Sequence, residues 1–549
     1  MTADTLGAVM RAAAEQWPES TVTFPDESTS LSALDQRADH FARLVLAAGA
    51  EPGDKVGVLL EPCIDFIAAL VGIARVGATI VPINERFKAR ELAHVLTHAD
   101  LTVVLTTDRI AEFLDFPALL KEALEFEGAP LLRSVVVFGA PSQPVGFTPA
   151  AALEHAATAV PLERVHELEA AVTADDIALI MYTSGTSAMP KGCMITHDAF
   201  TQQGRAMGHS RYFLEPEDCF WCPLPLFHNG GLATLMACLS TGASYVHAGR
   251  FDPEVALDQL ERHRCTHAIP TFETIWLRVL DLPRFPQADL SSLRVTLNAG
   301  TAERLRQLQE RLPHAVQLAN YGLTEATGHL SVTLPTDPIE LRVNTGGHPL
   351  PGMEVRVVDP VGGEDVPGGE VGEILFRGPM RFRGYWKDPE LTEKVIDGDG
   401  WCHSGDLGTL DSDGRVTYTG RLKDMLKVGG ENVAAAEVEA FLLTHPAVNI
   451  VAVVGAPDAR YAEVPAAYIE LVNGTECSEA EIIDFCLGRI ATFKVPRYVR
   501  FVSEWPMSGT KIQKFVLRDE IERELRSHGI AEAPVLRTQR NMPRRSEAT

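Results

Sequence analysis

The stretch Met181–Cys193, MYTSGTSAMPKGC, places small hydroxyl residues, glycine and one lysine directly behind the apolar run Ile177–Ile180. Ser, Thr and Gly leave backbone N–H groups free to face an anion, and Lys191 adds a positive charge, so the chemistry on offer is phosphate binding. It is not a Walker loop: Lys191 follows Gly185 by six positions, but Pro190 precedes it and Gly192 follows it. By composition alone a Ser/Thr/Gly surface loop is the favoured reading. Further candidates stand downstream: Tyr321-Gly322-Leu323-Thr324-Glu325, Ser404-Gly405-Asp406, Gly420-Arg421-Leu422-Lys423-Asp424, Gly429-Gly430-Glu431-Asn432-Val433 and Lys511-Ile512-Gln513-Lys514. Taken singly, each has a plain structural reading: a core tyrosine, a surface glutamate, a hairpin aspartate, a solvated lysine. Cys219-Phe220-Trp221-Cys222 is one CxxC without a second pair, which argues against zinc. Asp397–Gly400 and Asp411–Gly414 begin like calcium loops but end on Gly408 and Leu422 where Glu is needed, so both read as turns.

In this order the motifs resemble the adenylate-forming enzymes, the superfamily of acyl-CoA synthetases, peptide-synthetase adenylation domains and firefly luciferase. The resemblance runs from about residue 5 to 520 and includes the cadence of residues 53–84. It implies a two-step reaction. A carboxylate attacks the α-phosphate of ATP to give acyl-adenylate and pyrophosphate, and a thiol then displaces AMP. By resemblance, Thr183, Ser184, Gly185, Thr186 and Lys191 cradle the outer phosphates. Tyr321 lies on the adenine, with Thr301, Asn320 and Gly322 also at the nucleotide. Asp406 and Arg421 take the ribose. Glu325 holds Mg²⁺, a hard cation suited to oxygen ligands, and Thr324, Glu325, His228 and Lys511 form the catalytic set that the resemblance implies. Lys511 bridges the carboxylate and the α-phosphate, and His228 gates the carboxylate. Lys423 is the hinge of a mobile C-terminal domain, Gly429, Gly430 and Glu431 face the pantetheine arm, and Lys494 and Arg497 are candidates for the CoA phosphates, with plain surface charge as the other reading. The acyl pocket is assigned to Phe227, His228, Asn229, Gly230, Phe272, Gly300 and His329. The small residues Gly230, Gly231, Ala233, Ala299 and Gly300 point to room for a bulky, apolar acid.

Two departures from the family pattern bear on adenylation. Ser187-Ala188 stands where the loop usually has Thr-Gly, and alanine adds a Cβ where glycine reaches positive φ. In Pro506-Met507-Ser508-Gly509-Thr510-Lys511, Thr510 takes the place of a glycine and the spacing to the lysine is one residue short. Three readings stay open: a complete acyl-CoA ligase, an enzyme that only passes the acyl group from a pre-made acyl-AMP to CoA and relies on a partner adenylating enzyme, and a stand-alone adenylation enzyme that loads a carrier protein.

Positioning such residues requires a layered α/β scaffold. Lys55–Leu60 is a short apolar run after the turn Glu51–Asp54; Ile64, Ile67, Leu70, Val71 and Ala74 recur at helical spacing; Gly77 ends that helix; and Thr79–Ile83 is again apolar. Strand, helix and strand in so few residues predict a βαβ unit and a parallel sheet. Leu101–Thr106, Ser134–Phe138 and Ile177–Tyr182 extend the alternation. Beyond residue 344 glycine and proline become dense between short strands (Val355–Val358, Glu373–Arg377, Arg415–Thr419), which predicts antiparallel hairpins and a small β-barrel part. From Asp424 a compact α+β unit is expected. The predicted domains are 1–422 and 424–535 about the hinge Lys423, with 536–549 as a disordered tail. The chain has 549 residues and a net charge of −25, the wrong sign for a nucleic-acid binder. Nine scattered cysteines, no leader and no apolar span predict a cytoplasmic protein whose partners are the acid and CoA; a homodimer is compatible with all of this.

Overall fold

The computed structural model describes residues 4–139, 146–183, 189–429, 431–508 and 511–536. The predicted βαβ unit is present: strand Lys55–Leu59, helix Ile64–Arg75 and strand Thr79–Pro82, with Lys55 in parallel register with Thr79. That helix is buried all round, which explains its unbroken apolar sequence. Gly77 closes it at φ +73°, a conformation side chains disfavour. Among the described residues this unit belongs to an eight-stranded sheet, with strands Leu101–Thr107, Ser134–Phe138 and Thr148–Pro149 on one side and Ile177–Thr183, Lys191–Thr196 and Gly384–Tyr385 on the other. The last three strands pair antiparallel, so the sheet turns from parallel to antiparallel around the expected phosphate motif, residues 181–193.

A second, nine-stranded sheet has Cys219–Cys222, His267–Thr271, Val295–Asn298 and Val316–Leu323 in parallel at its centre. A four-stranded antiparallel sheet follows (Glu354–Val358, Gly372–Arg377, Cys402–Leu410, Val416–Arg421). The two aspartate-rich stretches are turns, as predicted: Asp397 and Asp411 each accept backbone N–H bonds from the residues two and four positions on. After the 3₁₀ turn Leu422–Asp424 the next strand, Met425–Val428, joins a different sheet with Glu431–Ala434, Ala462–Leu471, Val448–Asp458 and Tyr498–Phe501, covered by helices Ala435–Leu442, Glu479–Cys486 and Lys514–Ser527. No helix among the described residues is long and apolar enough to cross a membrane.

Four buried histidines sit in this frame as neutral donors and acceptors. His197 Nδ1 accepts from Leu6 N, and His247 Nδ1 accepts from Gly249 N while its Nε2 meets Leu224 O. His267 Nε2 meets Tyr212 O, and His329 Nδ1 meets Asn320 Nδ2. Burial lowers each imidazole from 6.5 to about 4. The unfolded chain takes up these protons near 6.5 and the folded chain only near 4. Their contribution to stability is therefore complete above 6.5 and is lost as pH falls through that window, at about 1.4 kcal/mol per pH unit for each ring. We expect calorimetric Tm to fall between pH 6.5 and 4, with unfolding at pH 5 taking up protons on these four rings. A Tm that is flat from pH 6.5 to 5 would contradict this.

Candidate active site

Lys191 opens the strand Lys191–Thr196 and lies in register with Thr183 across the hairpin. Ser184, Gly185, Thr186 and the departure at Ala188 lie outside the described residues. The Lys191 ammonium stands 5.7 Å from the ring centre of Tyr385, whose hydroxyl donates to Glu325 Oε1 at 2.7 Å. Burial, then the charges of Glu325 and Cys193, push the Tyr385 phenol far above its ordinary range, so it stays a donor. Glu325 sits in the 3₁₀ turn Thr324–Ala326 at the end of Val316–Leu323, and its carbonyl accepts from Phe382 N at 2.8 Å. Thr324 O accepts from Asn229 Nδ2 at 3.4 Å. Among the described residues no cluster of three or more His, Cys, Asp or Glu is assembled. Mg²⁺ bound through one carboxylate and substrate phosphates needs no such cage, so Glu325 fits the ion.

Asp406 is buried (2% exposed) on the strand Cys402–Leu410, opposite Arg421. Tyr321 Oη donates to its Oδ2 at 2.8 Å, and Arg421 Nε lies 3.2 Å from Oδ1. The Tyr321 ring stacks on Tyr418, centroids 5.7 Å apart and planes 16° from parallel. The expected adenine partner and ribose partner are thus bonded to each other. Gly322 is a packing requirement: a Cβ there would lie 2.0 Å from Gly328 O. Thr301 caps helix Ala302–Arg311, its hydroxyl accepting from Arg304 N at 3.4 Å.

On the acyl side, His228 is the residue before helix Asn229–Thr241, and its ring lies 4.7 Å from that of buried Phe227. Asn229 and His329 are buried, and Gln203 Nε2 donates to His329 O at 3.2 Å. Phe272 follows Thr271, a β-branched residue at φ +56°, where few such residues are found. Gly300 has only ordinary neighbours at 3.8–3.9 Å. Gly230 and Gly231 correct the inference of open space. A Cβ on Gly230 would meet Leu224 Cδ1 at 2.7 Å, and one on Gly231 would meet the Leu224 and Pro225 carbonyls at 2.6 Å. These glycines let the helix start lie against its own entry loop.

Lys423 occupies the 3₁₀ turn between the last two sheets. Burial, then Arg421, lowers its ammonium; Lys191 acts in the same sense, and Asp424 and Asp406 oppose them. Gly429 is left-handed at φ +61° and donates to Tyr461 O at 2.8 Å, while Gly430 is outside the described residues. Glu431 pairs with Val428 at the same hairpin. Lys494 is ion-paired with Glu437. Arg497 Nη1 donates to Pro534 O at 2.9 Å, and its guanidinium lies 5.4 Å from the Tyr461 ring centre. Both therefore have local partners. Lys511 lies in register with Ser508, and Gly509 and Thr510 fall outside the described residues. Sequence reasoning missed Tyr385 and Tyr418. The first carried a signal in Gly384-Tyr385-Trp386, an aromatic pair inside a glycine- and charge-rich stretch; the second carried none.

Residues 10–386 match the family described as AMP-binding enzyme, and residues 437–511 match the AMP-binding enzyme C-terminal domain. A 3-(7a-methyl-1,5-dioxo-octahydro-1H-inden-4-yl)propanoyl:CoA ligase of Rhodococcus jostii is 35% identical over 524 residues, covering 94% of this chain and 98% of its own. A medium-chain fatty-acid–CoA ligase of Escherichia coli is 32% identical over 533 residues, covering 93% and 91%. Among solved structures, ATP-bound MatB from Rhodopseudomonas palustris superposes with a TM-score of 0.82 at 27% identity, covering 95% of this chain and 99% of that one.

The Asp406 carboxylate has the strongest claim to a nucleoside. We expect Asp406→Asn to weaken AMP binding about 10- to 100-fold, as for loss of a charged hydrogen bond, in titration calorimetry of the full chain. AMP affinity equal to that of the parent chain would remove Asp406 from the site.

Proposed function

The chain belongs to the family of AMP-binding enzymes, and on that premise we propose that it is an acyl-CoA ligase, converting a carboxylic acid to its CoA thioester through an enzyme-bound acyl-adenylate. The observation that carries this is the gathering, from separate sheets, of a phosphate-loop lysine, a carboxylate held by Tyr385 and a buried Asp406–Tyr321–Arg421 set beside Lys423. In-line transfer at phosphorus depends on positioning and on neutralising charge. Lys191 supplies charge at the outer phosphates. Glu325 would hold Mg²⁺, which neutralises phosphate oxygens when bound. Asp406 takes the ribose hydroxyls, a strong arrangement because the acceptor is ionised. Lys511 is brought to the reacting carboxylate by the C-terminal domain, 424–535, turning about Lys423, and the Gly429–Glu431 hairpin is presented to the thiol in the second step.

The shortened motif before Lys511 bears on the first step. With Ser508 opposite Lys511, two residues join the strands. The curated relatives named as CoA ligases match more than nine-tenths of this chain, which supports the complete ligase over an enzyme fed with acyl-adenylate by a partner. The described cysteines are unpaired, which fits the cytoplasm as the compartment. The acid we propose is mainly apolar, in line with one curated relative named for a methyl-dioxo-octahydro-indenyl propanoyl group and another named for medium-chain fatty acids.

The test offers a panel of carboxylic acids with CoA in two forms, free acid with Mg-ATP and pre-made acyl-adenylate, and follows thioester by mass spectrometry. We expect thioester from both, with pyrophosphate from the ATP arm. Lys511→Ala should slow the ATP arm about 10²- to 10³-fold, the scale of a lost transition-state contact, and leave the adenylate arm within a few-fold. Thioester from the adenylate arm alone would identify an enzyme dependent on a partner, and thioester from neither would remove CoA ligation.

A further inference from the structure

Helix Ala89–His98 carries two histidines one turn apart, His94 and His98, whose rings stack at 4.9 Å with planes 23° from parallel. His94 Nε2 lies 3.1 Å from Pro190 O. A carbonyl only accepts, so His94 carries its proton on Nε2. His98 Nδ1 lies 2.8 Å from Tyr182 Oη. Both imidazoles meet the Tyr182 ring edge-on, at 6.4 and 5.9 Å. Tyr182 precedes Thr183, the last described residue before the phosphate loop, and Pro190 directly precedes Lys191. One stacked unit therefore holds both arms of the hairpin that presents Thr183 and Lys191. The same helix end is tied to the strand that carries Tyr385: Trp386 Nε1 donates to His98 O at 2.9 Å, Trp386 N donates to Gly192 O at 2.8 Å, and Lys387 pairs with Asp100 at 2.7 Å.

The His98–Tyr182 contact joins two groups whose environments favour their neutral forms. Burial, then His94 and Lys387, lowers the His98 imidazole against the opposite pull of Asp100 and Asp388. Burial, then Asp100, raises the Tyr182 phenol. A neutral ring facing a neutral hydroxyl gives a bond that does not require water or a counterion.

We propose that His94 and His98 are positioning residues of the nucleotide site: by holding Pro190 and Tyr182 they fix where Lys191 and Thr183 meet the outer phosphates of ATP, without touching the nucleotide. The proposal rests on the acyl-CoA ligase reading only in taking ATP as the ligand. It separates ATP from AMP, because AMP has no β- or γ-phosphate for the hairpin to hold.

The experiment is titration calorimetry of the full-length chain with Mg-ATP and with AMP. His94→Phe and His98→Phe keep an aromatic ring in the stack and lose the hydrogen bond. Each should weaken ATP about 2- to 10-fold, the scale of one hydrogen bond, and leave AMP unchanged. His94→Gln and His98→Asn put an amide near the lost ring nitrogen and should restore ATP affinity. Tyr182→Phe combined with His98→Phe should weaken ATP no more than either change alone, since both break one bond. Equal weakening of ATP and AMP would overturn the proposal in favour of a general packing role. Unchanged ATP affinity in the Phe variants, or Gln and Asn variants no better than Phe, would also overturn it. A parent chain that binds neither nucleotide would be recognised before any variant is made, and would remove the ligase reading together with this one.

Discussion

A carboxylate withdrawn from water has to keep its partners, and Asp406 imposes that requirement on the centre of this protein. Its strand belongs to the four-stranded sheet, Tyr321 comes from the end of the nine-stranded sheet, and Arg421 is the last residue before the chain leaves for the C-terminal sheet. A buried carboxylate that loses a hydrogen-bond donor keeps the cost of its own desolvation. The pairing therefore fixes the relative placement of two sheets, and that placement is what puts Arg421 and Lys423 at the edge of the site. The stacking of Tyr321 on Tyr418 acts in the same direction, since both sheets contribute one ring.

A second bridge does the same for the phosphate side. Tyr385 belongs to an edge strand of the eight-stranded sheet, while Glu325 follows a strand of the nine-stranded one. Their 2.7 Å hydrogen bond joins the two large sheets beside Lys191. Burial first, and then the second negative charge that ionising Tyr385 would set against Glu325, hold the phenol above its ordinary range. Under the proposed function, a nucleotide entering here would meet groups whose distances are already set by the packing of sheets, which is the condition for electrostatic preorganisation.

Much of this was legible in the sequence, and the reasons differ from residue to residue. Lys55–Leu59 and Ile64–Arg75 declared themselves by period, and Gly77 by the positive φ that ends the helix. Lys191, Glu325 and Asp406 stood in short motifs whose order carried the family. Contacts between distant segments left no such trace. His98 meets Tyr182 across 84 positions and Tyr385 meets Glu325 across 60, and neither pairing follows from local spacing. Gly230 and Gly231 misled because a glycine records that something is close without saying what; here it is the Leu224 side chain at Gly230 and the Leu224 and Pro225 carbonyls at Gly231. The motif points Tyr321 at a ligand, and no local spacing shows that its hydroxyl has a partner in Asp406, 85 positions on.

Between Arg421, the end of one sheet, and Met425, the start of the next, the chain has only the turn Leu422–Asp424. Under the proposed rotation about Lys423, so short a tether would make an encounter between the C-terminal sheet and the site an intramolecular event at a fixed effective concentration, about millimolar for short flexible connections. Groups beyond the tether, among them Lys511 on its own two-stranded ribbon, would then compete for the site by orientation rather than by diffusion. Lengthening or stiffening this link would therefore act on the frequency of turnover, while the affinity of the large domain for its small ligands would be set elsewhere.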